Sequence, residues 1–354
     1  MPTEVVGVDC FTEAWCSELI EISVIGKEVS IPVLEILRLI SYEEGDLIFL
    51  SGSLIEGIGN LLSDLDVYVL KKNKLQLSTE FEASHDLVRE FSSVDSFSGK
   101  SVSTYDYLPE YELNIEVEYW TAEEIDCLIK GVNRNSFESA RFGLSPGMNI
   151  PSFKASRLVH NIVTATPLVG HEHLASLVDS FHLPSYCFMR FNSLAGSYED
   201  FKDIAGVYMS GDILRAYDLA REYVTVQMQA LTHLHFNTNF RRKWLLTYLQ
   251  KLPSDYDGIV ARYTELVYKS SGVDSLQDKF VELVEFLRDV FTAFGSTLDN
   301  SPAFSKSNEL IESCADFAES FSDAETQRII EFRRTVIGNK VFDTAKMLSK
   351  SSWG

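Results

Sequence analysis

Short runs of alternating hydrophobic and polar residues mark the first 150 residues of the chain. Residues 64–70 and 114–120 both alternate with a period of two, which is typical of strands that bury one face. Their apolar positions are Leu65, Val67, Val69, Ile115, Val117 and Tyr119. Residues 46–50 form an apolar run that ends in Ser51-Gly52-Ser53, and this predicts a buried strand that enters a turn.

From about Phe153 onward, apolar residues recur at helical spacing instead. Three stripes predict amphipathic helices. The stripes are Ile213, Ala216, Tyr217, Ala220, Val224, Met228 and Leu231; then Phe280, Leu283, Val284, Leu287, Phe291 and Phe294; then Leu310, Cys314, Phe317 and Phe321. Residues 31–40 predict one more helix, with a proline near its start, whereas residues 1–30 and 295–354 indicate only helix and loop.

These patterns predict an α+β fold in two domains. We expect a mixed β-sheet with helices in residues 1–150 and an α-helical bundle in residues 151–354. The boundary is placed just after the loop signal at residues 143–147. A chain of 354 residues is long enough to form two hydrophobic cores of this kind.

The composition narrows the class of partner. The chain has 52 Asp and Glu against 31 Lys and Arg, a net charge of −21. Because basic residues hold long nucleic acids, this balance disfavours a nucleic-acid partner. No apolar run approaches the roughly 20 residues of a membrane helix, and the N-terminus lacks the basic start of a secretory signal, so we expect a cytoplasmic protein with no membrane partner. Five scattered cysteines without a Cys-x-x-Cys pair predict reduced thiols.

Residues 51–70 carry the candidate chemistry. Gly52 and Ser53 follow a predicted strand, where small residues let backbone amides and a hydroxyl approach phosphate oxygens. We expect a short helix next, with its free N–H groups directed toward an anion. Asp64 and Asp66 lie two residues apart on the following strand, so both carboxylates project from one face. Two carboxylates beside an anion need a cation between them, and such hard oxygen ligands suit magnesium.

A third acid is expected from the strand at residues 114–120, which presents Glu116 and Glu118 on one face. Either carboxylate can complete a site for two metal ions, one holding a triphosphate and the other activating an attacking hydroxyl. An Asp-x-Asp pair alone is often a solvated strand end, and a Gly-Ser pair alone is weaker still. The two together, with Gly57 at a fixed offset between them, are far more specific.

The spacing of Gly52-Ser53, Gly57 and Ser63-Asp64-Leu65-Asp66 resembles the signature of the DNA polymerase β nucleotidyltransferase superfamily. Within it, the chain is most similar to the minimal, antibiotic-modifying branch that includes kanamycin nucleotidyltransferase. The resemblance implies that Gly52 and Ser53 contact the triphosphate, with Ser63 as a further nucleotide contact. It also implies that Asp64 and Asp66 bind two Mg²⁺ ions together with Glu116, or with Glu118 as the alternative.

Two residues depart from the usual pattern of that superfamily. The third acid is a glutamate where aspartate is commoner, which leaves a carboxylate available for metal binding or proton transfer. Glu56 stands where many members carry arginine, so we expect no phosphate contact from residue 56.

The resemblance continues, less specifically, into the predicted bundle. Residues 157–160 and 166–170 resemble its first helix and the turn after it, and residues 241–245 resemble a basic-aromatic helix motif. In that motif Arg242 and Lys243 are candidates for binding the β and γ phosphates. The alternative is a solvated helix start with Trp244 in the core. Lys154 and Arg157 are likewise either triphosphate contacts or members of surface ion pairs.

Two His-x-His pairs also stand out in the chain. They are His171 with His173 and His233 with His235. Neither pair has a third ligand at a recognisable spacing, so we interpret both as structural or exposed residues and not as zinc ligands.

Together these features predict a magnesium-dependent nucleotidyltransferase. The first domain would bind a nucleoside triphosphate, which we predict to be ATP, and the bundle would bind a small-molecule acceptor such as an antibiotic or another natural product. Glu116 would help to deprotonate an acceptor hydroxyl, which receives the nucleoside monophosphate as pyrophosphate leaves. The alternatives are nucleotidylation of a protein or a tRNA, synthesis of an oligonucleotide second messenger, and nucleotide binding without catalysis. The sequence leaves the acceptor, the base and homodimer formation open.

Overall fold

The computed structural model describes residues 19–24, 27–72, 86–91, 100–132, 152–269, 275–304, 324–337 and 342–349. These residues pack into two compact units. The first unit comprises the described residues within Met1–Gly131 and Ser152–Phe181, and the second those within Val132–Pro151 and His182–Gly354. The fold is α+β, with a mixed sheet in the first unit and helices in the second, as the sequence predicts.

The strands all belong to the first unit as far as the structure describes it. They are β1 Leu19–Val24, β2 Lys27–Pro32, β3 Leu47–Ser51, β4 Leu65–Lys71, β5 Asp86–Phe91, β6 Lys100–Leu108, β7 Leu113–Thr121 and β8 Thr166–Val169. β1 and β2 form an antiparallel pair, and the other six form one sheet in the order β5-β6-β7-β4-β3-β8. Within that sheet β4 and β7 run parallel, and every other neighbouring pair is antiparallel.

The helices are α1 Val33–Leu37, α2 Gly52–Ile55, α3 Ala122–Val132, α4 Phe153–Val163, α5 His171–Ser180, α6 Leu183–Leu194, α7 Tyr198–Met209, α8 Ile213–Leu234, α9 Leu245–Leu249, α10 Asp257–Tyr268, α11 Leu276–Asn300, α12 Ala324–Ile337 and α13 Thr344–Met347. Short 3₁₀ turns at Arg242–Trp244 and Ser254–Tyr256 precede α9 and α10. The predicted stripes of α8 and α11 are largely buried, which confirms them as core faces. The third stripe, from Leu310 to Phe321, lies outside the described residues.

The two faces of the sheet differ in polarity. The alternate residues predicted as apolar on β4 and β7 are all fully buried. They pack with β1, β2 and α1 in one hydrophobic core. The opposite face of the same strands carries Asp66, Tyr68, Glu116 and Glu118, and it therefore holds the candidate chemistry.

A buried ion pair helps to fix the register of β3 against β4. Lys71 Nζ lies 2.6 Å from Asp46 Oδ2, and both side chains are almost completely buried. Asp46 also accepts hydrogen bonds from the backbone amides of Glu43 and Lys72. A slip of one residue would turn every side chain of a strand to the other face, so this pair helps to keep Ser51 opposite Asp66 at the far end of the strands.

The structure corrects three sequence expectations. The predicted helix at residues 31–40 is shorter, because Ile31 and Pro32 end β2 and α1 covers only Val33–Leu37. Within residues 1–30, which indicated only helix and loop, the described part forms β1 and most of β2. The expected turn at residues 166–170 is instead mostly the strand β8, which pairs with β3 at the edge of the sheet, where a proline is tolerated.

The chain divides at a different place from the predicted boundary near residue 150. The described residues from Ser152 to Phe181 pack with the sheet, because β8 is one of its strands and α4 bonds to it. The catalytic and acceptor-binding roles assigned to the two halves stay predictions. Among the described residues, no helix is both long and apolar enough to cross a membrane.

Candidate active site

A row of polar residues crosses four neighbouring strands at one end of the sheet. Strand pairing sets Tyr105 of β6 opposite Glu116 of β7, Glu116 opposite Asp66 of β4, and Asp66 opposite Ser51 of β3. Residues paired across strands project from the same face of a sheet. The register therefore brings Asp66 and Glu116, two of the predicted acids, side by side.

The Gly-Ser corner lies directly against Asp66. Gly52 has a φ of +82°, and a Cβ built on it would lie only 1.9 Å from Asp66 Oδ2. Only glycine adopts this conformation readily and leaves that space for a carboxylate. The residue ends β3 and begins α2, whose first N–H groups have no acceptor within the helix. The predicted phosphate corner and the predicted metal ligand are thus adjacent.

Negative charge accumulates around Asp66. The pKa of Asp66 is raised to about 7, mainly by burial and then by the neighbouring carboxylates Glu116, Glu118 and Asp64, whereas Arg157 lowers it. Asp64 lies just before β4 and is partly buried. A carboxyl whose ionisation is suppressed by other carboxylates becomes a better ligand once a cation is present.

Glu116 and Glu118 differ in how their oxygens are used. Glu116 is partly buried and accepts a hydrogen bond from the Tyr105 hydroxyl at 2.8 Å. Glu118 is 2% exposed, and both its oxygens are engaged: Arg157 Nη2 donates to Oε1 at 2.5 Å, and Trp120 Nε1 donates to Oε2 at 3.3 Å. Burial raises the pKa of Glu118 even though Arg157 opposes that shift.

The polar face of α4 connects the helix to the strands of the site. At helical spacing, Arg157 pairs with Glu118 of β7, and His160 Nε2 lies 2.9 Å from Glu56 Oε1, just after α2. Asn161 donates to the Tyr68 hydroxyl of β4, and the Thr164 hydroxyl, just beyond α4, lies 3.0 Å from that of Ser51. Residues at i, i+3, i+4 and i+7 share one helical face, so α4 fixes β3, β4, β7 and α2 relative to one another.

The remaining predicted nucleotide contacts of the first unit lie in the turns around α2. Ser53 is partly exposed, and its carbonyl accepts from Ile58 and Gly59, which closes the turn after the helix. The Ser63 hydroxyl accepts from the amide of Asn60 at 2.9 Å. Ser63 thus has a structural role in the turn that leads into Asp64, and its role as a nucleotide contact stays a prediction.

Arg242 and Lys243 belong to the second unit, in the 3₁₀ turn before α9. Arg242 Nη1 donates to Glu222 Oε1 at 2.7 Å in an exposed ion pair. Lys243 Nζ lies 4.8 Å from the centre of the Trp244 ring, which is itself partly buried. Their predicted contacts with the β and γ phosphates stay predictions.

Lys154 and Arg157 open α4 in the first unit. Lys154 Nζ lies 5.1 Å from the centre of the Trp120 ring. Arg157 takes the ion-pair role that the sequence offered as one alternative, although its partner Glu118 is buried and belongs to the candidate site itself.

As the side chains stand, no group of three or more His, Cys, Asp or Glu residues in the described ranges is arranged to hold a metal ion. His171 and His173 are exposed at the start of α5, as expected. In the second unit, His233 is buried and its Nδ1 lies 2.6 Å from the carbonyl oxygen of Asn237. The two free cysteines that the structure describes, Cys127 and Cys187, agree with reduced thiols.

Sequence reasoning missed how three residues contribute to the site, namely Tyr105, Glu56 and His160. Tyr105 lies on a strand that the hydrophobic pattern did not single out, and only the strand register shows its contact with Glu116. In the sequence, Glu56 stood out only because it replaces an arginine of the superfamily pattern. The structure shows that its side chain contacts His160. The polar residues at helical spacing in 157–164 could have predicted that His160 contacts another element of the site, such as the segment that carries Glu56.

The fold is similar to that of a solved nucleotidyltransferase-like protein from Exiguobacterium sibiricum 255-15, with a TM-score of 0.37 and 12% sequence identity. The match covers 78% of this chain and 84% of the other. No protein-family model matches the chain, and no curated protein matches it either. A likeness at this TM-score carries no inference about substrate, metal or acceptor, and it does not bear on the antibiotic-modifying branch.

Replacing Gly52 with alanine should test the close approach to Asp66. Gly57→Ala is the matched control, because Gly57 also has a positive φ, of +69°, but an added Cβ there meets nothing within 4 Å. The left-handed backbone alone should cost each variant about 1–2 kcal/mol of unfolding free energy. Gly52→Ala should lose clearly more in chemical denaturation, because Asp66 must also move. Equal losses would contradict the contact.

The raised pKa of Asp66 predicts how metal-free stability depends on pH. The folded protein holds this proton more tightly than the unfolded chain, so stability is fully present below about pH 4 and is lost as the pH rises to about 7. Asp66→Asn removes the titration. In EDTA, its denaturation midpoint should exceed that of the wild type at pH 8 and approach it at pH 4. An advantage that does not change with pH would refute this account.

Proposed function

We propose that this protein is a magnesium-dependent nucleotidyltransferase that moves a nucleoside monophosphate from a nucleoside triphosphate to the hydroxyl of a small-molecule acceptor. One observation carries the proposal. Asp66 lies beside Glu116 on parallel strands and against Gly52 at the Gly-Ser corner. An anion-binding corner next to a cluster of carboxylates is the arrangement that a metal-bound triphosphate requires.

Asp64, Asp66 and Glu116 are the proposed metal ligands. In a parallel sheet, successive residues on one face lie about 6–7 Å apart along the strand, so Glu118 is farther from Asp64 than Glu116 is. Binding requires the partly buried side chains of Asp64 and Glu116 to rotate toward Asp66, a change between rotamers of modest energy. When bound, the two Mg²⁺ ions would polarise the α-phosphate and neutralise the charge on the leaving pyrophosphate.

Glu116 is the proposed proton acceptor for the attacking hydroxyl. The acceptor oxygen forms a bond to the α-phosphorus, the bond from that phosphorus to the bridging oxygen breaks, and pyrophosphate leaves. The hydroxyl proton passes to Glu116. Tyr105 donates to one oxygen of Glu116, and this bond would hold the carboxylate until metal binding draws it toward Asp66.

Glu118 has a different proposed role, which is to hold Arg157. Its two oxygens already have donors, and its side chain is buried, so it is a poorer metal ligand than Glu116. Arg157 then supplies a fixed positive charge beside the acids, as its lowering effect on the pKa of Asp66 indicates. We propose that this charge helps to bind the negatively charged triphosphate, in addition to the metal ions.

Composition supports the proposed class of acceptor. A net charge of −21 disfavours RNA or DNA, which need many basic contacts. We keep ATP as the proposed donor. The identity of the acceptor would come from a metabolite screen for mass gains of one nucleoside monophosphate.

Asp66→Asn should abolish transfer while the protein stays folded. We expect magnesium-dependent ATP binding to weaken at least about tenfold, because a charged ligand to the metal is lost, and pyrophosphate release with a metabolite extract to disappear. Isothermal titration calorimetry with ATP and Mg²⁺ measures the first effect, and a coupled pyrophosphate assay the second. Because the substitution should stabilise the metal-free protein at pH 8, unfolding could not explain the loss.

Glu44→Gln is the control for that experiment, since it removes the same charge from an exposed position outside the site. It should bind ATP and release pyrophosphate like the wild type. Retained transfer in Asp66→Asn would end the proposal.

A comparison of Glu116→Gln with Glu118→Gln should separate the two glutamates. Glu116→Gln should raise the Mg²⁺ concentration needed for half-maximal ATP binding at little cost in stability. Glu118→Gln should instead lower the unfolding free energy by about 3 kcal/mol, because it leaves Arg157 without its charged partner. Adding Arg157→Met to Glu118→Gln should restore part of that stability. A larger shift in Mg²⁺ dependence for Glu118→Gln would reverse the assignment.

A further inference from the structure

Arg190 of α6 is a partly buried arginine with no acidic partner among the described residues. Its Nε is buried and has no hydrogen-bond partner. The described ion pairs include no carboxylate close to its guanidinium. Burying a charge without a counter-charge is costly, so such groups are normally paired.

The lack of a partner for Arg190 contrasts with the acidity of the chain. There are 52 Asp and Glu residues in the sequence, yet Arg190 contacts none of them in the described structure. Arg262 of α10 shows the ordinary arrangement in the same unit, since its guanidinium pairs with Asp289 and also lies 5.5 Å from the centre of the Phe286 ring. Arg190 has the aromatic neighbour and lacks the acid.

The aromatic neighbour of Arg190 is Phe240, whose ring centre lies 4.9 Å from the guanidinium carbon. A ring at this distance attracts the cation but accepts no conventional hydrogen bond, so the N–H groups keep their capacity for an anion. Gln229 donates to the carbonyl of Phe240, which fixes the segment in place. Burial also lowers the pKa of Arg190, as expected for a cation without a counter-ion.

The chain is basic directly after Phe240. Arg241, Arg242 and Lys243 come directly after it and form the densest basic cluster in the chain. Arg242 itself pairs with Glu222, so the choice of a phosphate ligand depends on Arg190, whose planar fork binds phosphate oxygens in pairs.

We infer that Arg190, held against Phe240, anchors an anion site in the second unit that takes the phosphate group of a small ligand. The site is distinct from the carboxylate cluster of the first unit. The inference does not depend on nucleotidyl transfer, and it would stand if the chain had no such activity.

Calorimetric titration of the full-length protein with pyrophosphate in EDTA tests this inference. Wild type should bind saturably, and Arg190→Met, which keeps an apolar contact with Phe240, should bind at least about tenfold more weakly because charge-assisted hydrogen bonds are lost. Arg262→Met removes a matched arginine that already has an acid and should change the affinity less than about twofold. If the methionine variant does not fold, Arg190→Lys should bind more weakly than wild type, because it keeps the charge without the fork.

The same titration distinguishes this site from the proposed catalytic one. Asp66→Asn should bind pyrophosphate in EDTA as tightly as wild type. ATP and glucose 6-phosphate, titrated in the same way, show whether the phosphate belongs to a nucleotide or to a sugar, and tighter binding of either supports the site. The inference would be overturned if wild type showed no saturable binding, if Arg190→Met kept its affinity, or if Asp66→Asn lost it. Equally tight binding of malonate, a dicarboxylate, would also overturn it.

Discussion

The contact between the Asp66 carboxylate and the backbone of Gly52 is the constraint on which the candidate site depends. It exists because Gly52 has no side chain and a left-handed backbone, and because Asp66 points to the polar face of β4. The register of β3 against β4 then brings the two residues together, and the buried pair of Lys71 and Asp46 helps to hold that register at the other end. The position of one carboxylate is thus fixed by packing along two whole strands.

The carboxylate cluster is electrostatically unfavourable by itself, and the fold compensates for it only in part. Arg157 offsets some of the charge, but its closest acid is Glu118, one row further along the sheet. Asp66 keeps a pKa near 7 because it is buried and because that compensation is incomplete. A cluster of buried carboxylates like this one lowers the stability of the metal-free protein, and replacing such a polar group with a neutral one commonly stabilises a protein.

The sequence predicted the strands of the site because their alternation is strong and one face is buried. It also predicted that Asp66 and Glu116 project from strands of the same sheet, and the strand register sets them side by side. It left Glu116 and Glu118 open as the third acid, because the contact that distinguishes them, from Arg157 to Glu118, comes from a helix some 40 positions later. The extent of the sheet was missed for a similar reason: β8 has four residues and a proline, and only its pairing with β3 makes it a strand.

The helix α4 shows why a boundary placed by a loop signal and by helical periodicity differs from the division of the folded chain. Its period is helical, and in sequence it resembles the first member of a bundle, yet its polar face bonds to the strands of the sheet. Arg157, His160 and Asn161 each contact a different element, namely β7, the end of α2 and β4. The helix is therefore an integral part of the sheet unit. Because those bonds converge on β4, β7 and the end of α2, a displacement of α4 would move the acids and the glycine corner together. The position of α4 therefore controls the geometry that a ligand would meet at Gly52 and Ser53.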